Sequence, residues 1–170
     1  MARIPYPDLH NGAIAPVVDR IVAERGSVLK LYEMLLHSPP VAAGWLAFLT
    51  AIRQQCDLSG RIRELVIMRV AVINGADYEF RAHTPFALKE GFSQAQIDAM
   101  CEGSFDSFDG AERAALDYSE AMTRNVQVPE AVFDALRGHF NERELVELTA
   151  TIAAYNLVSR FLEALKVDHD

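Results

Sequence analysis

The chain has 170 residues, 51% hydrophobic and 24% charged, the composition of one globular domain long enough to close a core without metal or disulfide staples. Sixteen Lys and Arg against 24 Asp and Glu give a net charge of −8, which repels polyphosphate and anionic lipid, so neither nucleic acid nor a membrane surface is expected as a partner. Cys56 and Cys101 form no CxxC pair and no four-ligand zinc set; both read as reduced, small apolar residues, and no metal site is expected.

Met1 to Gly12 carries Pro5, Pro7, Asp8 and Asn11 with no apolar run, so it reads as an extended leader rather than a secretory signal, and the cytoplasm is the expected compartment. The longest mostly apolar stretch, Val41 to Ala51, is about half as long as the ~20 residues of a membrane-crossing helix. Apolar residues recur at helical spacing throughout, and no turn dipeptide separates two alternating runs, so the expected class is an all-α single domain of about eight to nine helices. In chain order the helices are predicted near Ala13 to Arg25, Ser27 to His37, Val41 to Gln54, Ser59 to Asn74, Asp77 to Glu90, Ser93 to Cys101, Asp109 to Asn125, Pro129 to Gly138 and Asn141 to Leu165.

Ser93 with Gln96, and Asn141 with Glu144, have the spacing of capping boxes. Gly91 and Gly138 suit helix exits, Pro39-Pro40 blocks a helix arriving from Leu36, and Pro129 suits a first helical position. Pro85 deprives the Arg81 carbonyl of its usual partner, which predicts a kink or break in the fifth helix. Arg63-Glu64-Leu65-Val66 recurs as Arg143-Glu144-Leu145-Val146, which leaves a duplicated two-helix unit open beside chance.

The chemistry-bearing segment runs from Ser59 to Gly91. Glu79 and His83 are four apart, so on a helix they share a face and can meet as carboxylate and imidazole, the outline of a general acid whose imidazolium is stabilised by its partner. Glu64 lies in a helix apolar on most of its circumference; burial there requires either a neutral carboxyl or a nearby cation such as Arg61, three residues back. The plainer alternatives are a solvated Glu79–His83 surface pair and a first-turn Glu64 facing the helix dipole. His10, His37, His139 and His169 lack comparable partners and read as surface or capping histidines.

At these residues the sequence resembles the carboxymuconolactone decarboxylase family, in the helical superfamily that includes the alkylhydroperoxidase D proteins. The peroxidase branch carries Glu, eleven residues, Cys-x-x-Cys, three residues and His; Glu64 and His83 occupy the Glu and His positions, while the cysteine positions fall on Ala76 and Glu79. Tyr78 stands where the family often has an aromatic residue, and His37-Ser38-Pro39 with Trp45 is similar to the upstream family helix. The resemblance covers roughly Leu31 to Gly91, and Glu144 to Val167, with Tyr155-Asn156-Leu157 and Arg160-Phe161-Leu162, looks like a closing helix.

The resemblance implies an alkylhydroperoxidase D-like helical bundle that assembles into a homo-oligomer, a trimer or hexamer, with a dimer as the smaller alternative. A thiol peroxidase needs an attacking thiolate and a resolving thiol, which Ala76 and Glu79 cannot supply, so that activity is disfavoured. Glu79 at the second cysteine position looks like the decarboxylase branch, in which a small carboxylated lactone or related acid loses CO₂ with no cofactor. By resemblance His83 is the acid, Glu79 its orienting partner, Glu64 a relay or second acid, and Tyr78 a substrate contact. Arg61 is the candidate anchor for the substrate carboxylate on account of its helical face. The alternative is a non-catalytic helical oligomer or accessory module in which the three residues form a buried polar network.

Overall fold

The helical spacing resolves into nine helices and no strand in a computed structural model, which describes residues 1–170. They are α1 (Ala15–Arg25), α2 (Lys30–Leu35), α3 (Pro39–Gln54), α4 (Gly60–Asn74), α5 (Asp77–Lys89), α6 (Gln94–Glu102), α7 (Gly110–Arg124), α8 (Glu130–Arg137) and α9 (Glu142–Leu165). The chain divides into two compact units, residues 1–55 with 162–170, and residues 56–161.

In the first unit α1 opens with Pro16 in its first turn, where the missing N–H would in any case lack an acceptor, and α3 opens with Pro39 and Pro40 for the same reason. The second helix starts at Lys30, later than the predicted Ser27, because Leu29 is extended and the Lys30 N–H donates to the Asp170 carboxylate at 2.7 Å. A residue at the far end of the chain supplies the cap. The leader is tied down in the same way: the Arg3 N–H donates to the Leu165 carbonyl at 2.9 Å, and the Tyr6 hydroxyl to the Asp168 carboxylate at 3.1 Å. Ile21, Leu36 and Leu46 form part of this unit's core.

The second unit is built on α4. Leu65, Val66, Ile67, Met68 and Val70 are all fully enclosed, so this helix is apolar around most of its surface and packs against both α5 and α7. Ser59 caps its start, accepting from the Ile62 N–H at 3.2 Å. Gly75, at φ 64°, ends it: the Ala76 N–H reaches the Ala71 carbonyl at 2.8 Å and the Gly75 N–H the Val72 carbonyl at 3.1 Å, the paired bonds of a left-handed exit that only glycine adopts without strain. The chain reverses within these residues and α5 begins at Asp77.

Pro85 does not break α5, which runs unbroken to Lys89. Pro85 and Arg81 are both exposed, and one residue earlier the Thr84 hydroxyl donates to the Phe80 carbonyl at 2.8 Å. Capping boxes start α6 at Ser93 with Gln96 and α7 at Asp109 with Glu112, while Asn141 and Glu144 exchange the same pair of bonds before α9. Pro129 is the residue before α8 rather than its first, and Gly138 leaves it in right-handed geometry. The two copies of Arg-Glu-Leu-Val are not equivalent in space: Leu65 and Val66 are fully buried, whereas Val146 is 69% exposed.

A buried cation locks these helices together. The Arg69 guanidinium binds the Glu120 carboxylate of α7, donates to the Met100 carbonyl of α6 at 2.5 Å, and lies 5.2 Å from the Phe105 ring centroid.

Candidate functional site

Three elements bring the site together. Glu64 projects from the buried stretch of α4, the exit at Gly75 turns the chain back, and α5 then carries Glu79 and His83 one turn apart. His83 Nδ1 lies 2.6 Å from Glu64 Oε2, a short charge-assisted contact, and its Nε2 lies 3.6 Å from Glu79 Oε2, beyond hydrogen-bonding reach. On the α9 side the Tyr155 ring meets the imidazole edge-on at 5.1 Å between centroids, and Phe86 of α5 lies at 5.8 Å.

All three titrating side chains are buried: Glu64 is 1% exposed, His83 3% and Glu79 4%. Glu79 and His83 are therefore not a solvated surface pair. A buried carboxylate needs compensation, and a cation that supplies it to Glu64 is Arg63, whose Nε lies 3.3 Å from Oε1. Arg61 instead turns to α7: its Nε donates to Glu112 Oε1 at 2.5 Å, its Nη1 to the Glu90 carbonyl at 3.3 Å, and its guanidinium stacks 3.9 Å above the Phe92 ring. Tyr78 is buried beside Glu79 in the sequence. The sequence reading missed Arg63, adjacent to Glu64 and visible to it, and Tyr155, which no local pattern could connect to His83.

The site contains no thiol at the two positions where a peroxidase needs one, since Ala76 is 1% exposed and Glu79 occupies the second. Cys56 is half-buried and Cys101 exposed, both free; burial first of all pushes each thiol up from its ordinary value, away from the reactive thiolate. The two carboxylates meet opposite ring nitrogens of His83 and so do not converge on one point, and no group of three His, Cys, Asp or Glu side chains is arranged to hold a metal ion. A surface cleft of about 630 Å³ is lined by Asn125, Val126, Gln127, Val128 and Pro129, which include no acid, base or nucleophile. No helix is long and apolar enough to cross a membrane.

Residues 39–121, which contain α4, α5 and all three triad members, match the model of the carboxymuconolactone decarboxylase family. The uncharacterized protein YnjA of Escherichia coli K12 is 42% identical over 129 residues, 73% of this chain and 66% of its own length. The alkylhydroperoxidase AhpD core structure of a peroxidase-related protein from Ralstonia eutropha JMP134 superposes with a TM-score of 0.84 at 21% identity, over 99% of this chain and 92% of that one. The debrominase Bmp8, solved with 2,3,4-tribromopyrrole, superposes with a TM-score of 0.81 at 18% identity over 100% of this chain and 94% of that one. At such identities the likeness is one of fold, and the fold carries more than one chemistry. Over residues 39–121 the chain matches the carboxymuconolactone decarboxylase family, with Ala76 and Glu79 at the CxxC positions, and its fold is alkylhydroperoxidase D-like.

Proposed function

We propose that the protein is a cofactor-free proton-transfer enzyme that decarboxylates a small carboxylated lactone or related acid, with His83 as the acid. The observation that carries this reading is an imidazole placed between two carboxylates in a family frame whose thiol positions are Ala76 and Glu79. As CO₂ departs, the electron pair of the breaking C–C bond moves into the conjugated lactone carbonyl, and the resulting dienolate carbon takes a proton from the ring. Nε2 is the donor that suits this step, because Nδ1 is engaged at 2.6 Å while Nε2 faces its neighbour across 3.6 Å. Bound solvent returns the proton afterwards, so each turnover consumes one proton and no reductant.

The near-complete burial of Glu64, Glu79 and His83 favours a second reading, a polar network that holds α4 and α5 together without turnover. CO₂ release from a panel of carboxylated lactones and related acids separates the two. Turnover of any member, lost in His83→Gln with helix content retained, supports the enzyme; a silent panel at high enzyme concentration supports the network. A homo-oligomer, trimer or hexamer, belongs to the same proposal, supported by an exposed apolar face on α9 that includes Val146 and Leu157.

A further inference from the structure

We propose that Arg63 is the positioning residue of this site and determines which nitrogen of His83 carries the transferable proton. Glu64 divides its two oxygens between two donors: Oε1 faces Arg63 Nε at 3.3 Å and Oε2 faces His83 Nδ1 at 2.6 Å. A guanidinium does not give up its proton, so a carboxylate held against it remains an acceptor. Nδ1 is then the donor in the 2.6 Å contact and keeps its proton whether the ring is charged or neutral. The proton that comes and goes sits on Nε2, on the side of Glu79, whose Oε2 lies 3.6 Å away.

When the ring carries its second proton, the four groups alternate in sign: Arg63 positive, Glu64 negative, the imidazolium positive, Glu79 negative. This arrangement differs from the division of labour expected from the sequence. Glu64 is a fixed, ionised orienter of Nδ1, and Glu79 faces the nitrogen from which the proton leaves. In the transfer itself the Nε2–H bond breaks, a C–H bond forms on the substrate with the electron pair left by CO₂, and the Nε2 lone pair freed in this way takes up a proton from solvent. The catalytic consequence rests on the proton-transfer reading above, whereas the placement of the ring proton does not.

The test is a long-range ¹H–¹⁵N correlation spectrum of protein labelled at histidine, followed to the pH at which the ring is neutral, with the His83 signal identified among the five histidines by its loss in His83→Gln. The wild-type neutral ring is expected to hold its proton on Nδ1. In Arg63→Gln the ratio of the Nδ1–H to the Nε2–H form is expected to fall about tenfold, the equivalent of one charge-assisted hydrogen bond. A wild-type ring protonated on Nε2 overturns the proposal, as does an unchanged ratio in Arg63→Gln with wild-type helix content. If Arg63→Gln does not fold, the wild-type form alone decides. A lactone panel without turnover tells against the reaction and leaves the tautomer standing, so the two ideas fail separately.

Discussion

His83 touches a carboxylate at each nitrogen, but only the Glu64 contact is short enough to fix the ring. On the catalytic reading, His83→Gln is expected to lower turnover by about 10²–10⁴-fold, the usual contribution of a general acid, without loss of helical circular dichroism. Cys56→Ser with Cys101→Ser is expected to leave turnover intact, and the half-buried Cys56 should alkylate more slowly than the exposed Cys101 at neutral pH. Loss of turnover in the cysteine variant would point back to thiol chemistry. The Glu64, Glu79 and His83 frame was legible because it is encoded in helical spacing and in a family motif on two consecutive helices. The destination of Arg61 was not: a face argument sets it beside Glu64, but its partner Glu112 lies 51 residues away, and long-range pairing outweighs a local one.

At the scale of the element, the turn between α4 and α5 positions the chemistry. Gly75→Ala places a Cβ at φ 64° and is expected to cost about 1 kcal/mol or more in a denaturant titration, with a larger fractional effect on turnover because Glu64 and His83 sit on opposite sides of the turn. The Arg69–Glu120 pair contributes to acid stability. Burial alone would raise the Glu120 carboxyl, but hydrogen bonds from Arg124 and Arg69 outweigh it and hold the group below its ordinary value. A carboxyl lowered in the folded state contributes stability above the ordinary carboxylate range and loses it as pH falls through the lowered value. Glu120→Gln should therefore flatten that part of the stability–pH curve in urea melts. Arg69→Ala should cost about 2–4 kcal/mol at neutral pH, less than for a fully buried pair because the Glu120 side chain keeps 22% exposure. Helix existence and most caps were readable from Ser93, Gln96, Asn141 and Glu144, whose partners are three residues away. The start of α2 was not, because Asp170 caps it from the other end of the chain.

For the molecule as a whole, the all-helical class followed from periodicity alone, and the fold is similar to those of an uncharacterized peroxidase-related Ralstonia protein and the debrominase Bmp8. Function therefore has to be argued from the site. Along α9, Val146, Ala153 and Leu157 present an apolar exposed stripe, and Leu157→Asp is expected to shift the particle to a smaller mass in light scattering while retaining its helix content. An unchanged mass would remove that face from any interface. The central claim is that His83 delivers a proton to carbon, and the most direct measurement is turnover of an accepted carboxylated lactone in heavy water with deuterium located in the product. Wild-type protein is expected to place a single deuterium on one carbon of the dienolate, and His83→Gln to release CO₂ and labelled product about 10²–10⁴-fold more slowly. Undiminished release and labelling in folded His83→Gln would contradict it.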